Sequence, residues 1–216
     1  MTIRTLKRLT PPILWDAARS VARRVNAKRN DAALFDGHDD LFRAAVEGAR
    51  LYGEYGCGTS TEWVLRNTEA RVISVETDPV WAEKVKTAAP AENRLSMQLI
   101  DVGAVGAWGR PLDYSKRGNF SAYAEALWQN GTVPDVILID GRFRVFCFLT
   151  CLLRAPAGTV VIFDDYIERP YYHIVEEFTA VSRRNERQAI FTLPGPEQIN
   201  RDRVTETRGK FEFVRD

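Results

Sequence analysis

The chain has 216 residues, a 45% hydrophobic share and a formal net charge of +1: enough for one domain with a sizeable core, and too neutral to imply nucleic acid or an acidic partner. Its three cysteines, Cys57, Cys147 and Cys151, are too few and too odd in number for a disulfide framework. The first apolar run is short and broken by Pro11, Pro12 and Asp16, and no stretch of about 18 apolar residues occurs, so the cytoplasm is the default compartment.

In the first thirty residues Arg4, Lys7, Arg8, Arg19, Arg23, Arg24, Lys28 and Arg29 face one acid, Asp16. Ile13, Leu14, Ala17, Val21 and Val25 recur at helical spacing, which predicts an amphipathic helix behind the proline pair. Its basic face suits either peripheral contact with an anionic membrane through residues 1–30 or plain solvation, with the apolar face packed on the domain. A second helix is expected over 40–48, closed by Gly48. Residues 1–47 are therefore read as a helical extension and 48–216 as the main domain.

From Gly48 onward strands and helices alternate. Strands are expected at 49–55, 71–76, 95–101, 135–140 and 158–163, with helices at 79–88, 121–129, 144–154 and 170–181 between or after them. DVILID and GTVVIF are apolar throughout, as strands buried on both faces are. Two last strands are expected at 188–193 and 210–214, joined by a charged loop, 194–209. Such alternation predicts a doubly wound, mostly parallel sheet with helices on both faces.

The stretch Leu51 to Thr61, LYGEYGCGTST, runs from a strand through a glycine turn into a helix. Gly56 and Gly58 allow a tight turn and close backbone approach to a ligand, and Ser60 or Thr61 can cap the helix. Glu54, Glu76, Asp101, Asp140 and the pair Asp164–Asp165 all fall at the carboxyl ends of expected strands, the edge where open α/β sheets bind ligands. A dinucleotide would want a third glycine where Thr61 stands, and its pyrophosphate would be repelled by Glu54.

These residues resemble the class I S-adenosylmethionine-dependent methyltransferases, from about Gly48 to the end of the chain. Glu54-Tyr55-Gly56-Cys57-Gly58 is similar to their first motif, acid-x-Gly-x-Gly. The resemblance implies a seven-stranded Rossmann-like fold with an antiparallel last strand. It also implies S-adenosylmethionine as cofactor, bound by Glu54, Gly56, Gly58 and Ser60, with Glu76 at the ribose hydroxyls and Asp101 at the adenine amine. Asp140 would lie beside the reacting centre. The implied activity is methyl transfer to a small-molecule or sugar hydroxyl, oxygen being favoured over nitrogen or carbon.

A finer resemblance, to catechol-type and macrocin-type O-methyltransferases, implies Mg²⁺ held by Asp140, Asp164 and Asp165. Two departures stand against it: Arg142 occupies a position that is acidic in the macrocin pattern, and the lysine base of the catechol pattern is missing near Phe143. Arg142 suits a carboxylate or phosphate on the substrate, or an ion pair with a strand-end acid. His173, on the helix after the fifth strand, is the other candidate catalytic base. Without the lysine, a second function stays open: a methyltransferase-like nucleoside-binding or interaction module that transfers nothing. Cys147 and Cys151 share a helix face and are expected in the core. The long connection 102–120, with Trp108, Tyr114 and Phe120, is expected to form a lid over adenine and substrate or a homodimer interface.

Overall fold

Seven strands form one sheet in the order β3-β2-β1-β4-β5-β7-β6 in a computed structural model that describes residues 33–89 and 92–216. The strands are β1 (Leu51–Tyr55), β2 (Arg71–Glu76), β3 (Leu95–Leu99), β4 (Val136–Ile139), β5 (Val160–Phe163), β6 (Arg183–Arg184) and β7 (Ala189–Thr192). The helices are α1 (Asp40–Val46), α2 (Thr59–Asn67), α3 (Pro79–Ala88), α4 (Phe120–Glu125), α5 (Arg144–Arg154) and α6 (Arg201–Phe211). The basic helix expected in the first thirty residues lies outside the described residues. Residues 33–39 form a unit separate from 40–216. The compact unit starts at Asp40, so α1 is part of it: Phe42 packs edge-on against Tyr52 and Trp63.

Strands β1 to β5 are parallel, and β7 is antiparallel to both β5 and β6. Every parallel strand therefore points its carboxyl end to the same edge, and the order reverses between β1 and β4. The VILI of β4 is buried at all four positions, as expected of a central strand covered on both faces. Helix α5 is buried continuously from Arg144 to Leu152. Phe148 from that helix meets Phe163 of β5 and Phe191 of β7, which ties the helix to the antiparallel side of the sheet. Cys147 and Cys151 are buried free thiols in this core.

The end of the chain departs from expectation. The last two strands are β6 and β7, a hairpin at 183–192, while 201–211 is helix α6 and 210–214 is not a strand. The alternation of Lys210-Phe211-Glu212-Phe213-Val214 mimics a strand, but β7 already occupies the edge of β5. Asn200 caps α6 by accepting from Arg203 N at 3.0 Å. Arg208 then anchors the helix to α5, stacking 4.2 Å over Phe146 and donating to Thr150 Oγ1 at 2.8 Å. The expected helices at 121–129 and 170–181 are α4 followed by a 3₁₀ stretch (Ala126–Gly131), and a 3₁₀ stretch (Pro170–Glu177). Among the described residues no helix is long and apolar enough to cross a membrane.

Candidate functional site

The turn after β1 is built by backbone contact. Gly56 has φ +92, and a Cβ there would lie 2.7 Å from Gly141 Cα. Only glycine at both positions lets the ends of β1 and β4 touch. Beneath this turn Glu54 is wholly buried. Its carboxylate accepts from Tyr52 and Ser60 hydroxyls at 2.9 Å each and from the Thr61 hydroxyl. Burial pushes its pKa up to about 7, although these hydroxyls and that of Ser74 pull the other way. Glu54 thus holds the start of α2 to β1 from below, and Ser60 is buried with it. Gly58 differs: an added Cβ would come no nearer than 3.9 Å to Trp81, so space lies over the first turn of α2.

Glu76, closing β2, is 7% exposed. Its Oε1 accepts from Thr77 N at 2.6 Å and Asp78 N at 3.0 Å, and its Oε2 from Cys57 N at 3.2 Å. One carboxylate therefore links the end of β2 to the glycine turn. The Thr77 hydroxyl donates to Gly109 O at 2.7 Å, latching the 102–120 connection over this point. Trp108 is nevertheless 55% exposed, so it does not exclude water from the edge as placed. Asp101, beyond β3, is exposed, pairs with Lys116 and accepts from Gly103 N at 3.0 Å. The Lys116 ammonium and that N–H hold its carboxyl below the usual range.

At the ends of β4 and β5 the carboxylates of Asp140, Asp164 and Asp165 bring oxygens within 4.8 Å of one another, close enough for one cation. Arginines already engage all three. Arg187 forks Asp164, its Nε donating to Oδ1 at 2.7 Å, and its Nη2 also reaches Asp165 Oδ1 at 2.9 Å. Arg144 reaches Asp140 Oδ1 at 3.1 Å and Asp165 Oδ2 at 3.4 Å, and Arg169 reaches Asp165 Oδ2 at 2.9 Å. Three carboxylates face three guanidinium groups. The set as it stands does not fit a resident Mg²⁺, which would have to displace these partners from a charge-balanced cluster. Asp140 is the outer member, with a third of its side chain exposed. Burial and the charges of Asp164 and Asp165 raise its pKa to about 7, against the pull of Arg144 and Arg187.

His173 is turned elsewhere: its Nε2 lies 3.1 Å from the Tyr166 carbonyl oxygen and its ring packs on Tyr166. The fold thus gathers Gly56, Gly58, Glu76 and Asp140 around one edge, with Glu54 and Ser60 beneath it, Asp101 at its rim and His173 apart. Arg187, in the β6–β7 hairpin, and Arg169 are the residues that sequence reasoning missed. Arg187 has no local pattern, because Asp164 lies 23 residues before it, whereas Arg169 stands at i+4 from Asp165 and could have been found by that spacing.

No family model and no curated protein matches the sequence. Among solved structures, a methyltransferase-like protein from Silicibacter pomeroyi is 31% identical, with a TM-score of 0.71 over 81% of this chain and 93% of that one. An O-methyltransferase from Bacillus cereus, in complex with S-adenosylhomocysteine, is 17% identical with a TM-score of 0.51, over 85% of this chain and 91% of that one. The N-methyltransferase NodS from Bradyrhizobium japonicum, also with S-adenosylhomocysteine, is 13% identical at 0.51, over 77% and 91%. The last two agree with this chain in fold.

Proposed function

We propose that this chain, which belongs to the class I S-adenosylmethionine-dependent methyltransferases, transfers a methyl group to a hydroxyl oxygen of a small-molecule or sugar acceptor. The observation that carries this reading is Asp140: it closes β4 beside the glycine turn, with one oxygen held by Arg144 and a third of the side chain open to solvent.

The residues at the edge fit the cofactor. Glu76 Oε2, which accepts one backbone N–H and a weak thiol contact, retains capacity for a ribose hydroxyl. The space over Gly58 admits a ligand at the first turn of α2, and Asp101 at the rim suits the adenine amine. S-Adenosylmethionine, when bound, supplies an electrophilic methyl group on a sulfonium. Asp140 Oδ2 would accept the proton of the acceptor's hydroxyl, and Arg144 keeps the carboxylate in place through Oδ1. With the acids balanced by arginines, the transfer needs no metal.

Calorimetric titration with S-adenosylhomocysteine tests the cofactor half. Wild type should bind, and Glu76→Gln should bind at least about tenfold more weakly. No binding to wild type would overturn the reading. Asp140→Asn should keep that affinity while turnover falls by about 100-fold or more. Chelation with EDTA should leave transfer unchanged; activity lost in EDTA and restored by Mg²⁺ would refute the metal-free arrangement. A second reading, a binding module without transfer, rests on the stretch Arg142-Phe143-Arg144, which carries no lysine to serve as a base. It predicts nucleoside binding with no methyl transfer to any of a panel of hydroxyl acceptors.

A further inference from the structure

The glycine turn is gripped at both polar groups of one peptide. Between Cys57 and Gly58, the Gly58 N–H donates to Thr61 Oγ1 at 2.9 Å, and the Cys57 carbonyl accepts from the Trp81 indole Nε1 at 2.7 Å. The Cys57 N–H, one peptide earlier, goes to Glu76 Oε2 at 3.2 Å. Glu76 and Trp81 belong to one segment, the end of β2 and the start of α3. That segment is itself fixed. Asp78 caps α3 by accepting from Val80 N at 2.9 Å and Trp81 N at 3.1 Å, and Pro79 opens the helix.

The Trp81 side chain does more than tie two loops together. It is 37% exposed, with Lys84 Nζ over one face at 4.7 Å from the ring centroid. The indole edge that carries Nε1 also carries Cζ2, the atom that an added Cβ at Gly58 would meet at 3.9 Å. This edge therefore borders the space over Gly58, on the side of the Cys57 contact with Glu76. An aromatic ring with one polar tip suits such a place: the N–H is satisfied by the protein, and the apolar body is left for a ligand.

We propose that Trp81 is a cofactor-positioning residue: its indole N–H fixes the Cys57–Gly58 peptide, and its ring edge bounds the ribose end of the cofactor above Gly58. With the peptide plane held by Trp81 on one side and Thr61 on the other, the turn is ordered before the ligand arrives. The inference rests on the cofactor half of the methyl-transfer reading and is independent of the acceptor.

The test follows the Trp81 indole N–H resonance of the full-length protein by NMR during titration with S-adenosylhomocysteine. The Trp128 indole, which donates to the buried Tyr55 hydroxyl at 3.2 Å, serves as internal reference. The Trp81 resonance should shift progressively until saturation, while that of Trp128 stays in place. Trp81→Phe keeps an aromatic ring and removes the donor. It should bind S-adenosylhomocysteine about fivefold more weakly, the change expected for one neutral hydrogen bond. The wild-type titration decides even if that variant folds poorly. A Trp81 resonance unmoved at saturation, or wild-type affinity in Trp81→Phe, would overturn the inference while leaving the cofactor reading intact. Absence of S-adenosylhomocysteine binding to wild type, read by calorimetry on the same sample, would instead remove the cofactor reading and this inference with it.

Discussion

Arg187→Ala is expected to destabilise the fold by about 3–5 kcal/mol, the usual cost of removing one partner from a buried ion pair. Asp164 is wholly buried and receives from Arg187 a two-pronged grip, supplemented by Gln188 Nε2 at 2.9 Å. Without the guanidinium, a buried carboxylate would face Asp165 and Asp140 with one positive charge fewer. In a unit of this size the loss corresponds to a fall in Tm on the order of 10 °C. Urea unfolding at fixed pH should show a lower midpoint with an unchanged slope. Pairing Arg187→Met with Asp164→Asn should recover much of the loss, since the stranded charge is gone. A loss below about 1 kcal/mol for Arg187→Ala would mean that the hairpin does not close over Asp164 in solution.

The second large effect is a pH dependence set by Glu54. Its carboxyl has a folded-state pKa of about 7 against an ordinary 4.5, because burial outweighs the hydroxyls around it. Below the ordinary value the group is protonated in both folded and unfolded chains, so its burial carries no ionisation penalty. As pH rises from there to about 7 the unfolded chain releases a proton that the folded one retains, and stability falls. The full shift amounts to about 3 kcal/mol of stability lost by pH values above the folded-state pKa. Glu54→Gln keeps the shape and removes the ionisation. The difference in unfolding free energy between wild type and Glu54→Gln should therefore move in favour of the variant between about pH 5 and about pH 8. A difference that stays constant over that range would show that Glu54 is charged, or solvated, in the folded state.

Both effects concern groups whose partners come into view only in the fold. In the sequence Glu54 is a charge facing a cationic ligand; in the fold its oxygens are taken by Tyr52, Ser60 and Thr61. Spacing does not show this contact, because it does not say on which side of the strand end the hydroxyls after a glycine turn will lie. The Asp164–Asp165 pair likewise reads as a metal motif until the β6–β7 hairpin brings Arg187 to it. Gln188 to Leu193 was legible as a strand, but not that its partner would be the two exposed residues Arg183–Arg184.

By itself the sequence determined what depends on neighbours in the chain. The bounds of β2 (Arg71–Glu76), α3 (Pro79–Ala88) and α5 (Arg144–Arg154) follow from apolar periodicity and from proline at a helix start, which act over a few residues. The acids at the strand ends and the glycine turn were legible for the same reason, and parallel alternation placed them on one edge. Only the tertiary structure decided which of those acids remain free to act. That depends on partners far apart in sequence: the Gly109 carbonyl latched over Glu76's neighbour Thr77, Arg187 on Asp164, and Asp216 at the start of α5. A carboxylate's charge and reach are set by what desolvates it and what faces it, and in this chain both come from across the sheet.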